Sequence, residues 1–227
     1  MEVREQAGPF RHWIGNALDD SGTANLWNAA WREVIGDWLR ARHAPELPGT
    51  WAKWIKYDND CERLKWATED LGALGQWIAG IYQTFIGQSF LGRLRELTGI
   101  ADLETDPKRY GGGVHLMEPG GWLQPHLDYA LHPSGLERRV NLIAFLSPEP
   151  DPQGGELALL DDSGRTVVRT IDPEFGRVVI WEAGETAYHG VLPVDGNCPR
   201  ASLAVYYLAP PRPWACRCRA LYVPRRD

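Results

Sequence analysis

The stretch GGWLQPHLDY, residues 120–129, decides the fold. Its aromatic and aliphatic residues favour a β-strand, and two polar residues within it, His126 and Asp128, lie two positions apart. Side chains at i and i+2 of a strand point to the same face, so both can reach one metal ion. A His-x-Asp pair alone is a weak signal, because a pair on the surface is the commoner meaning. The downstream sequence has to supply a third ligand.

That third candidate ligand is His189, which lies in ETAYHGVLPV at the start of a late predicted strand. Two imidazoles and one carboxylate form the facial triad, which leaves three adjacent positions open on an octahedral iron(II). We therefore predict that His126, Asp128 and His189 are metal ligands and catalytic residues.

A site for an anion is predicted eleven residues after His189, in PRASLAVYYLAP. Arg200 and Ser202 are two positions apart on the next strand, so they share a face. A guanidinium fork and a hydroxyl on the inner face of a barrel suit a carboxylate, which arginine can bind with two parallel hydrogen bonds. The alternative is that Arg200 pairs with an acid on the surface.

The residues around these motifs change character near residue 105. Before it, apolar residues recur at helical spacing, which predicts helices over residues 20–39, 68–86 and 89–98, the last stopped by Gly99. Residues 51–57 alternate enough for an edge strand. We predict one domain: residues 1–105 are mostly helical support, residues 106–211 the β core, and residues 212–227 an arginine-rich tail.

The second part of the chain is rich in short strand-like runs separated by Gly and Pro. Eight such runs with turn residues between them predict a mainly β fold, a jelly-roll or cupin-like double-stranded β-helix flanked by helices. The predicted strands cover residues 114–117, 122–129, 140–147, 156–160, 165–171, 177–182, 187–193 and 201–209.

Composition narrows the class of protein. The chain has 227 residues, 44% of them hydrophobic, enough for one sizeable core. A net charge of −6 argues against general nucleic-acid binding. The sequence contains no long apolar segment, so we expect a cytoplasmic protein without a membrane partner. Four scattered cysteines predict reduced thiols, and we interpret the tail as solvated, with contact to an acidic partner as the alternative.

The order of the motifs resembles the prolyl 4-hydroxylase-like branch of the 2-oxoglutarate/iron(II) oxygenase superfamily. The resemblance implies that His126, Asp128 and His189 hold iron(II), and that Arg200 and Ser202 anchor the far carboxylate of 2-oxoglutarate. It also implies O2 as the oxidant, ascorbate as a candidate reductant, and hydroxylation coupled to release of succinate and CO2. The motifs that carry it are GGWLQPHLDY, ERRVNLIAFLSPEP, GGELALL, FGRVVIWEAGETAYHGV and PRASLAVYY.

This sequence departs from relatives at informative positions. Phe145 stands where protein-proline hydroxylases often place a tyrosine that helps to hold the co-substrate. Asn141, on the same face, is a candidate co-substrate contact, and a structural Asn at a bulge is the alternative. Tyr206 stands where nucleic-acid demethylases carry a second arginine, and Asp128 favours hydroxylation over halogenation.

The substrate is predicted only as a class. An arginine with a histidine suits a carboxylate-bearing amino acid, and a peptide or a small natural product is also compatible. Two other functions compete: a cupin-type metalloenzyme that does not use 2-oxoglutarate, and a binding module that has lost its metal. Arg200 and Ser202 favour the oxygenase over the cupin-type enzyme, and the complete triad argues against the binding module. The candidate substrate contacts at the mouth are Arg138, His115, Trp181 and Tyr206, with Arg139 and His132 as further possibilities.

Overall fold

A computed structural model describes residues 1–18, 21–43, 52–148 and 154–224. It contains one extensive antiparallel sheet and four helices. The helices are α1 Ser21–His43, α2 Leu71–Leu74, α3 Gln76–Ile86 and α4 Gln88–Thr98. The strands are β1 Val3–Gln6, β2 His12–Asn16, β3 Ile55–Tyr57, β4 Glu62–Thr68, β5 Glu104–Thr105, β6 Gly113–Leu127, β7 Glu137–Phe145, β8 Leu157–Leu160, β9 Val167–Ile171, β10 Arg177–Glu182, β11 His189–Val191, β12 Arg200–Ala209 and β13 Leu221–Tyr222.

Strand β6 joins the two layers of the sheet. Its first part, residues 113–117, pairs with β12 and β4, while His126 pairs with His189 of β11. The two parts are separated by residues 118–121, which face only Leu64 of β4. Leu64 has a φ of 50° and Gly120 a φ of 81°, so both strands are kinked here. The kink lets one strand leave the first layer and enter the second.

The two layers face each other across an apolar cluster and a cavity. One layer has the order β2-β10-β7-β12-β6, and the other continues as β6-β11-β8-β9. Phe145 and Val179 of the first layer pack against Leu157 and Leu159 of the second. This arrangement confirms the predicted double-stranded β-helix.

The helices cover the outer face of the first layer. Alternate residues of β7 and β12, such as Leu142 and Leu203, point outward into the main core, where they join Trp27 and Val34 of α1 and Ile78 of α3. The intervening residues of the same strands point inward. The period of two along each strand therefore divides it into a packing face and a functional face.

The predicted helix over residues 68–86 is in fact two helices. The chain breaks at Gly75, whose φ of 153° few other residues adopt, and α3 starts with Gln76. The carboxylate of Glu33, on α1, accepts hydrogen bonds from the backbone amides of Trp77 (3.0 Å) and Ile78 (2.9 Å). A carboxylate from a neighbouring helix thus caps α3.

Several other predictions agree with the structure. Helix α1 spans the predicted stretch, and α4 ends at Gly99, which has a left-handed φ of 74° and donates its amide to Arg95. The edge strand predicted over residues 51–57 is β3, although residue 51 lies outside the described residues. Residues 150–153, between the predicted strands over residues 140–147 and 156–160, also lie outside the described residues.

Two predictions about the ends of the chain need correction. Residues 1–105 do more than support the barrel, because β2 pairs with β10 and β4 pairs with β6. The described part of the tail packs on the barrel, although most of its residues are exposed: β13 pairs with β6, Arg212 forms an ion pair with Glu137, and Arg217 forms one with Glu185. The acidic partners of these arginines are in the same chain. Arg225 and Arg226 lie outside the described residues.

One strand boundary was also wrong. We predicted separate strands over residues 114–117 and 122–129, but Pro119, Gly120 and Gly121 between them lie inside β6. A Cβ on Gly121 would lie 2.8 Å from the carbonyl oxygen of Glu118 and 2.9 Å from that of Arg63. The glycine is therefore needed for close backbone approach at the kink. Within the described residues, no helix is long and apolar enough to cross a membrane.

The cap on α3 gives a first prediction. Glu33→Ala leaves two amides at the start of α3 without their carboxylate, and should lower the free energy of unfolding by about 0.5–2 kcal/mol. Urea denaturation of the purified protein measures this change. Arg32→Ala, at an exposed position of the same helix, is the control and should change stability by less than about 0.5 kcal/mol. Equal stability of both variants would refute the cap.

Candidate metal centre

Three side chains converge where β6 meets β11. His126 and His189 are directly paired across the two strands, and their ring centroids lie 4.4 Å apart. The Asp128 carboxylate lies 3.6 Å from Nε2 of His126 and 3.5 Å from Nε2 of His189. One atom from each residue lies within 4.8 Å of the others, close enough to surround one metal ion.

The backbone orients both imidazoles. Nδ1 of His126 lies 2.9 Å from the carbonyl oxygen of Gln124, and Nδ1 of His189 lies 3.0 Å from that of Ala187. A carbonyl accepts only, so in each ring we assign the proton to Nδ1, which leaves the lone pair of Nε2 facing Asp128. Burial, with the neighbouring His126, lowers the pKa of His189 to about 4. A neutral imidazole is the form that binds metals.

Asp128 is fixed by two residues of β7. Nη1 of Arg138 lies 2.8 Å from Oδ1 of Asp128, which makes an ion pair, although the two groups are not aligned for a hydrogen bond. Nδ2 of Asn141 donates a hydrogen bond to Oδ2 at 2.6 Å. Burial alone would raise the pKa of Asp128, but the charge of Arg138 holds it well below its usual value. The carboxylate is therefore ionised and oriented before any ligand binds.

Arg138 is itself held on both sides by aromatic rings. Its guanidinium carbon lies 3.9 Å from the ring centroid of Tyr129 and 3.4 Å from that of Tyr206. Such stacking suits the planar, weakly hydrated guanidinium, and the side chain is almost completely buried. Arg138 and Tyr206, which we predicted as substrate contacts, thus form one assembly with Asp128.

A second buried cation lies deeper in the barrel. Arg200 donates through Nε to the Gly155 carbonyl at 2.8 Å and through Nη1 to Ser202 Oγ at 3.2 Å, and it stacks on Phe145 at 4.9 Å. Its Nη2 is buried without a hydrogen-bond partner, and burial lowers the pKa of Arg200 to about 10. Among the described residues no carboxylate pairs with it. The alternative of a surface ion pair is therefore excluded for this part of the chain.

One cavity of about 540 Å³ connects the two places. It is lined by the His126, Asp128 and His189 cluster at one end and by Arg200 and Ser202 at the other. The donor set suits iron(II), and the unpaired guanidinium nitrogen suits a carboxylate that arrives with a ligand. The residues present therefore fit a metal ion and a dicarboxylic oxo acid bound together.

The remaining predicted contacts fall into two groups. His115 lines the cavity as the cross-strand neighbour of Ser202. Burial, with the nearby charge of Lys65, holds the pKa of His115 well below its usual value. Trp181 also lines it, edge-on to His189 at 4.9 Å, with its Nε1 buried and unpaired. Arg139 and His132 are not among the residues that line the cavity; Nδ1 of His132 instead bonds Ser134.

Among the cavity-lining residues that we did not predict from sequence are Glu62, Lys65 and Tyr222. Glu62 and Lys65 are three positions apart, and their common face results from the bulge at Leu64, which interrupts the strand period. Tyr222 comes from the tail. The presence of two charged residues within a β-rich segment was the available signal, but no local pattern assigns them to the inner face.

Comparison with known proteins agrees with this geometry. Residues 98–208 match the model of the 2OG-Fe(II) oxygenase superfamily. No curated protein matches the chain.

Solved structures resemble the fold at low sequence identity. A prolyl 4-hydroxylase of Phytophthora capsici has a TM-score of 0.53 and 16% identity over 87% of this chain and 58% of the longer one. AviO1 from Streptomyces viridochromogenes Tue57 has a TM-score of 0.53 and 14% identity over 91% and 92% of the two chains. A viral collagen prolyl hydroxylase from Paramecium bursaria Chlorella virus-1 has a TM-score of 0.51 and 13% identity over 87% and 96%.

The fold and the site define a double-stranded β-helix with a His–Asp–His cluster in its cavity. Residues 98–208 match the 2-oxoglutarate/iron(II) oxygenase superfamily, and the chain has the fold of the prolyl 4-hydroxylase-like branch. It is a 2-oxoglutarate-dependent dioxygenase whose cofactor is iron(II) and whose co-substrates are 2-oxoglutarate and O2.

The Arg138–Asp128 pair gives a second prediction. Arg138→Met leaves a buried carboxylate without its cation, and should lower the free energy of unfolding of the metal-free protein by about 3–5 kcal/mol at pH 7. The depressed pKa of Asp128 contributes stability that is present above its unfolded pKa and is lost as pH falls. The deficit of the variant should therefore shrink towards acid pH. Urea denaturation at a series of pH values measures it.

The double variant Arg138→Met/Asp128→Asn is the matched control. Removing both charges should recover part of the lost stability and abolish the pH dependence of the difference. A deficit for Arg138→Met that is constant from pH 7 to acid pH would contradict the role given to this ion pair.

Proposed function

We propose that the protein hydroxylates an unactivated carbon of an amino acid, a peptide or protein side chain, or a small natural product, with succinate and CO2 as co-products. One observation carries this proposal: a preorganised metal-ligand cluster and an unpaired buried arginine share one cavity. A metal-ligand cluster or a buried arginine alone occurs in other proteins. The cluster and the arginine together match the two ends of a bound 2-oxo acid.

In this proposal His126, Asp128 and His189 hold iron(II). Hydrogen bonds from Nδ1 to backbone carbonyls keep the Nε2 atoms of both histidines directed at the metal, and Asn141 with Arg138 keeps the Asp128 carboxylate in place. Such supporting contacts raise the precision of a metal site. The role of Asn141 is thereby changed from the predicted co-substrate contact to a contact with a metal ligand.

Arg200 and Ser202 are proposed to bind the far carboxylate of 2-oxoglutarate. Nη2 of Arg200 has no partner, while Nε and Nη1 are fixed by Gly155 and Ser202, so the guanidinium needs no rearrangement. Phe145 stacks on the guanidinium where relatives often carry a tyrosine. It adds no hydrogen bond, so the carboxylate depends more strongly on Arg200.

When bound, the metal and co-substrate supply the oxidising chemistry, and the protein positions the reactants and excludes water. Trp181 and Leu157, both almost completely buried, contribute to the apolar wall of the cavity. Ascorbate as reductant and a cytoplasmic location also belong to this proposal. The absence of a second arginine at Tyr206 supports a substrate other than nucleic acid.

The alternative is a cupin-type metalloenzyme that does not use 2-oxoglutarate. Such an enzyme has no need of a buried cation at the far end of the cavity. An unpaired, desolvated guanidinium costs stability, which argues against its retention without an anionic ligand. Arg200 therefore supports the proposed function over the alternative.

The metal ligands give a third prediction. His126→Ala, Asp128→Ala and His189→Ala should each abolish iron-dependent turnover of 2-oxoglutarate while the protein stays folded, because the three residues line a cavity. Turnover is measured as succinate formed, and folding by circular dichroism. His43→Ala, at an exposed position of α1, is the control and should retain full activity. A ligand variant with full activity would remove that residue from the set.

The co-substrate anchor gives a fourth prediction. Arg200→Ala should cost about 2–5 kcal/mol, because the carboxylate of 2-oxoglutarate then stays buried and unpaired. At about 1.4 kcal/mol per decade, affinity should fall roughly thirtyfold to several thousandfold. Arg200→Lys should recover part of the loss, since it keeps the charge but not the fork. Ser202→Ala should cost about 0.5–1.5 kcal/mol.

The affinity is measured without oxygen, from the visible charge-transfer band that 2-oxoglutarate forms with iron(II). Affinity for the metal itself should be nearly unchanged in these variants, because Arg200 and Ser202 do not touch the cluster. Wild-type affinity of Arg200→Ala for 2-oxoglutarate would refute the anchor.

A further inference from the structure

The same cavity holds a charged cluster that the proposed function does not use. Nζ of Lys65 lies 3.0 Å from Oε1 of Glu62, and the hydroxyl of Tyr222 donates to the same oxygen at 2.9 Å. Glu62 and Lys65 are each only 8% exposed. The cluster thus joins β4, near the start of the barrel, to β13 in the C-terminal segment.

Strand register places this cluster beside the metal centre. Lys65 pairs with Met117, which also pairs with Arg200, so these three residues form a row across β4, β6 and β12. On the other side, the ring of Tyr222 lies 5.3 Å from the ring of His126. Lys65 and Tyr222 both line the cavity that contains the proposed metal ligands.

Stability does not account for a buried ion pair in this position. Desolvation of two charges offsets most of their attraction, and an apolar pair of similar size is often equally stable or more stable. The cluster also has unused hydrogen-bonding capacity. The Lys65 ammonium has three donors, of which Glu62 takes one, and the second oxygen of Glu62 remains available as an acceptor.

We propose that Glu62 and Lys65 bind the head group of a free α-amino acid, and that this amino acid is the substrate to be hydroxylated. The Lys65 ammonium takes the α-carboxylate, the Glu62 carboxylate takes the α-ammonium group, and Tyr222 orients Glu62. This inference rests on the proposed function and narrows its substrate class.

The other lysine and arginine side chains that line the cavity do not fit this role. Arg138 is paired with Asp128, Arg200 is assigned to 2-oxoglutarate, and Lys53 is exposed at the mouth. Lys65 is therefore the buried cation left for a substrate anion among the described residues that line this cavity. A zwitterion brings both charges that the ion pair complements, whereas a peptide backbone brings none.

Cavity size agrees with a small substrate. The volume of about 540 Å³ has to hold 2-oxoglutarate as well as the substrate. It lies in the lower half of the range for small-molecule sites, about 300–1,000 Å³. A free amino acid fits beside the co-substrate, with its head group at Lys65 and its side chain directed along the cavity.

The experiment uses the full-length protein with iron(II) and saturating 2-oxoglutarate, without oxygen. Each free proteinogenic L-amino acid is titrated by calorimetry, followed by the N-acetyl and the amide form of any that binds. We expect at least one amino acid to bind, and blocking either end to weaken it at least about tenfold, as for loss of a charge-assisted contact. Lys65→Met should weaken the same amino acid at least about tenfold.

Two further variants make the result specific. Lys56→Met removes a lysine from the exposed face of the same hairpin, where it pairs with Asp58, and should bind the amino acid like wild type. Glu62→Gln/Lys65→Met removes both charges and so avoids a lone buried carboxylate. If Lys65→Met does not fold, the double variant is expected to show the same loss of binding.

Affinity for 2-oxoglutarate, read from the charge-transfer band in every variant, separates the two possible sources of the carboxylate. It should stay within about twofold of wild type in Lys65→Met, less than the effect of one neutral hydrogen bond. A larger loss would assign Lys65 to the co-substrate and overturn the inference. It is also overturned if no free amino acid binds, or if neither charge variant weakens binding. Absence of the band in wild type would instead refute the proposed function.

Discussion

The whole site depends on one strand that belongs to both layers of the sheet. Strand β6 pairs with β12 through its first part and with β11 through its second, and residues 118–121 form the kink between them. His126 can face His189 only because the second part has crossed into the other layer. Met117, in the first part, lies beside Arg200. The metal cluster and the anion site are therefore two ends of one bent strand and its neighbours.

The buried charges along the cavity differ in whether the protein itself supplies a partner. Asp128 is compensated within the protein by Arg138, and Glu62 by Lys65. Arg200 differs, since no described carboxylate pairs with it. Buried charges are tolerated when they are paired, so the unpaired Arg200 supports the proposed anion site. The lack of a protein carboxylate thus separates Arg200 from Arg138 and Lys65, which are both paired within the chain.

Segments outside the matched region complete the cavity. Strand β4 contributes Lys65 to the wall, and β13 brings Tyr222 next to His126. Arg217 donates to the Asp128 carbonyl at 2.8 Å, so the C-terminal segment also contacts the backbone of a proposed metal ligand. The superfamily match covers residues 98–208 and includes none of these three residues. Selectivity for the substrate is therefore expected to depend on the two ends of the chain.

The sequence by itself determined the inner faces of the regular strands. A period of two placed His126 with Asp128 and Arg200 with Ser202 on common faces, and the order of the motifs identified the superfamily. These inferences needed no knowledge of which strand pairs with which. The helices α1 and α4 followed equally from apolar spacing and from the stop at Gly99.

Only the tertiary structure decided what depends on pairing between distant segments. Asn141 contacts Asp128 because β7 lies opposite the end of β6 in space. Lys65 faces the cavity because the bulge at Leu64 shifts the strand period by one residue, which a regular alternation cannot reveal. Tyr222 reaches His126 because the C-terminal segment adds a strand to β6. Local patterns fix the face of a side chain, whereas its partners are set by long-range packing.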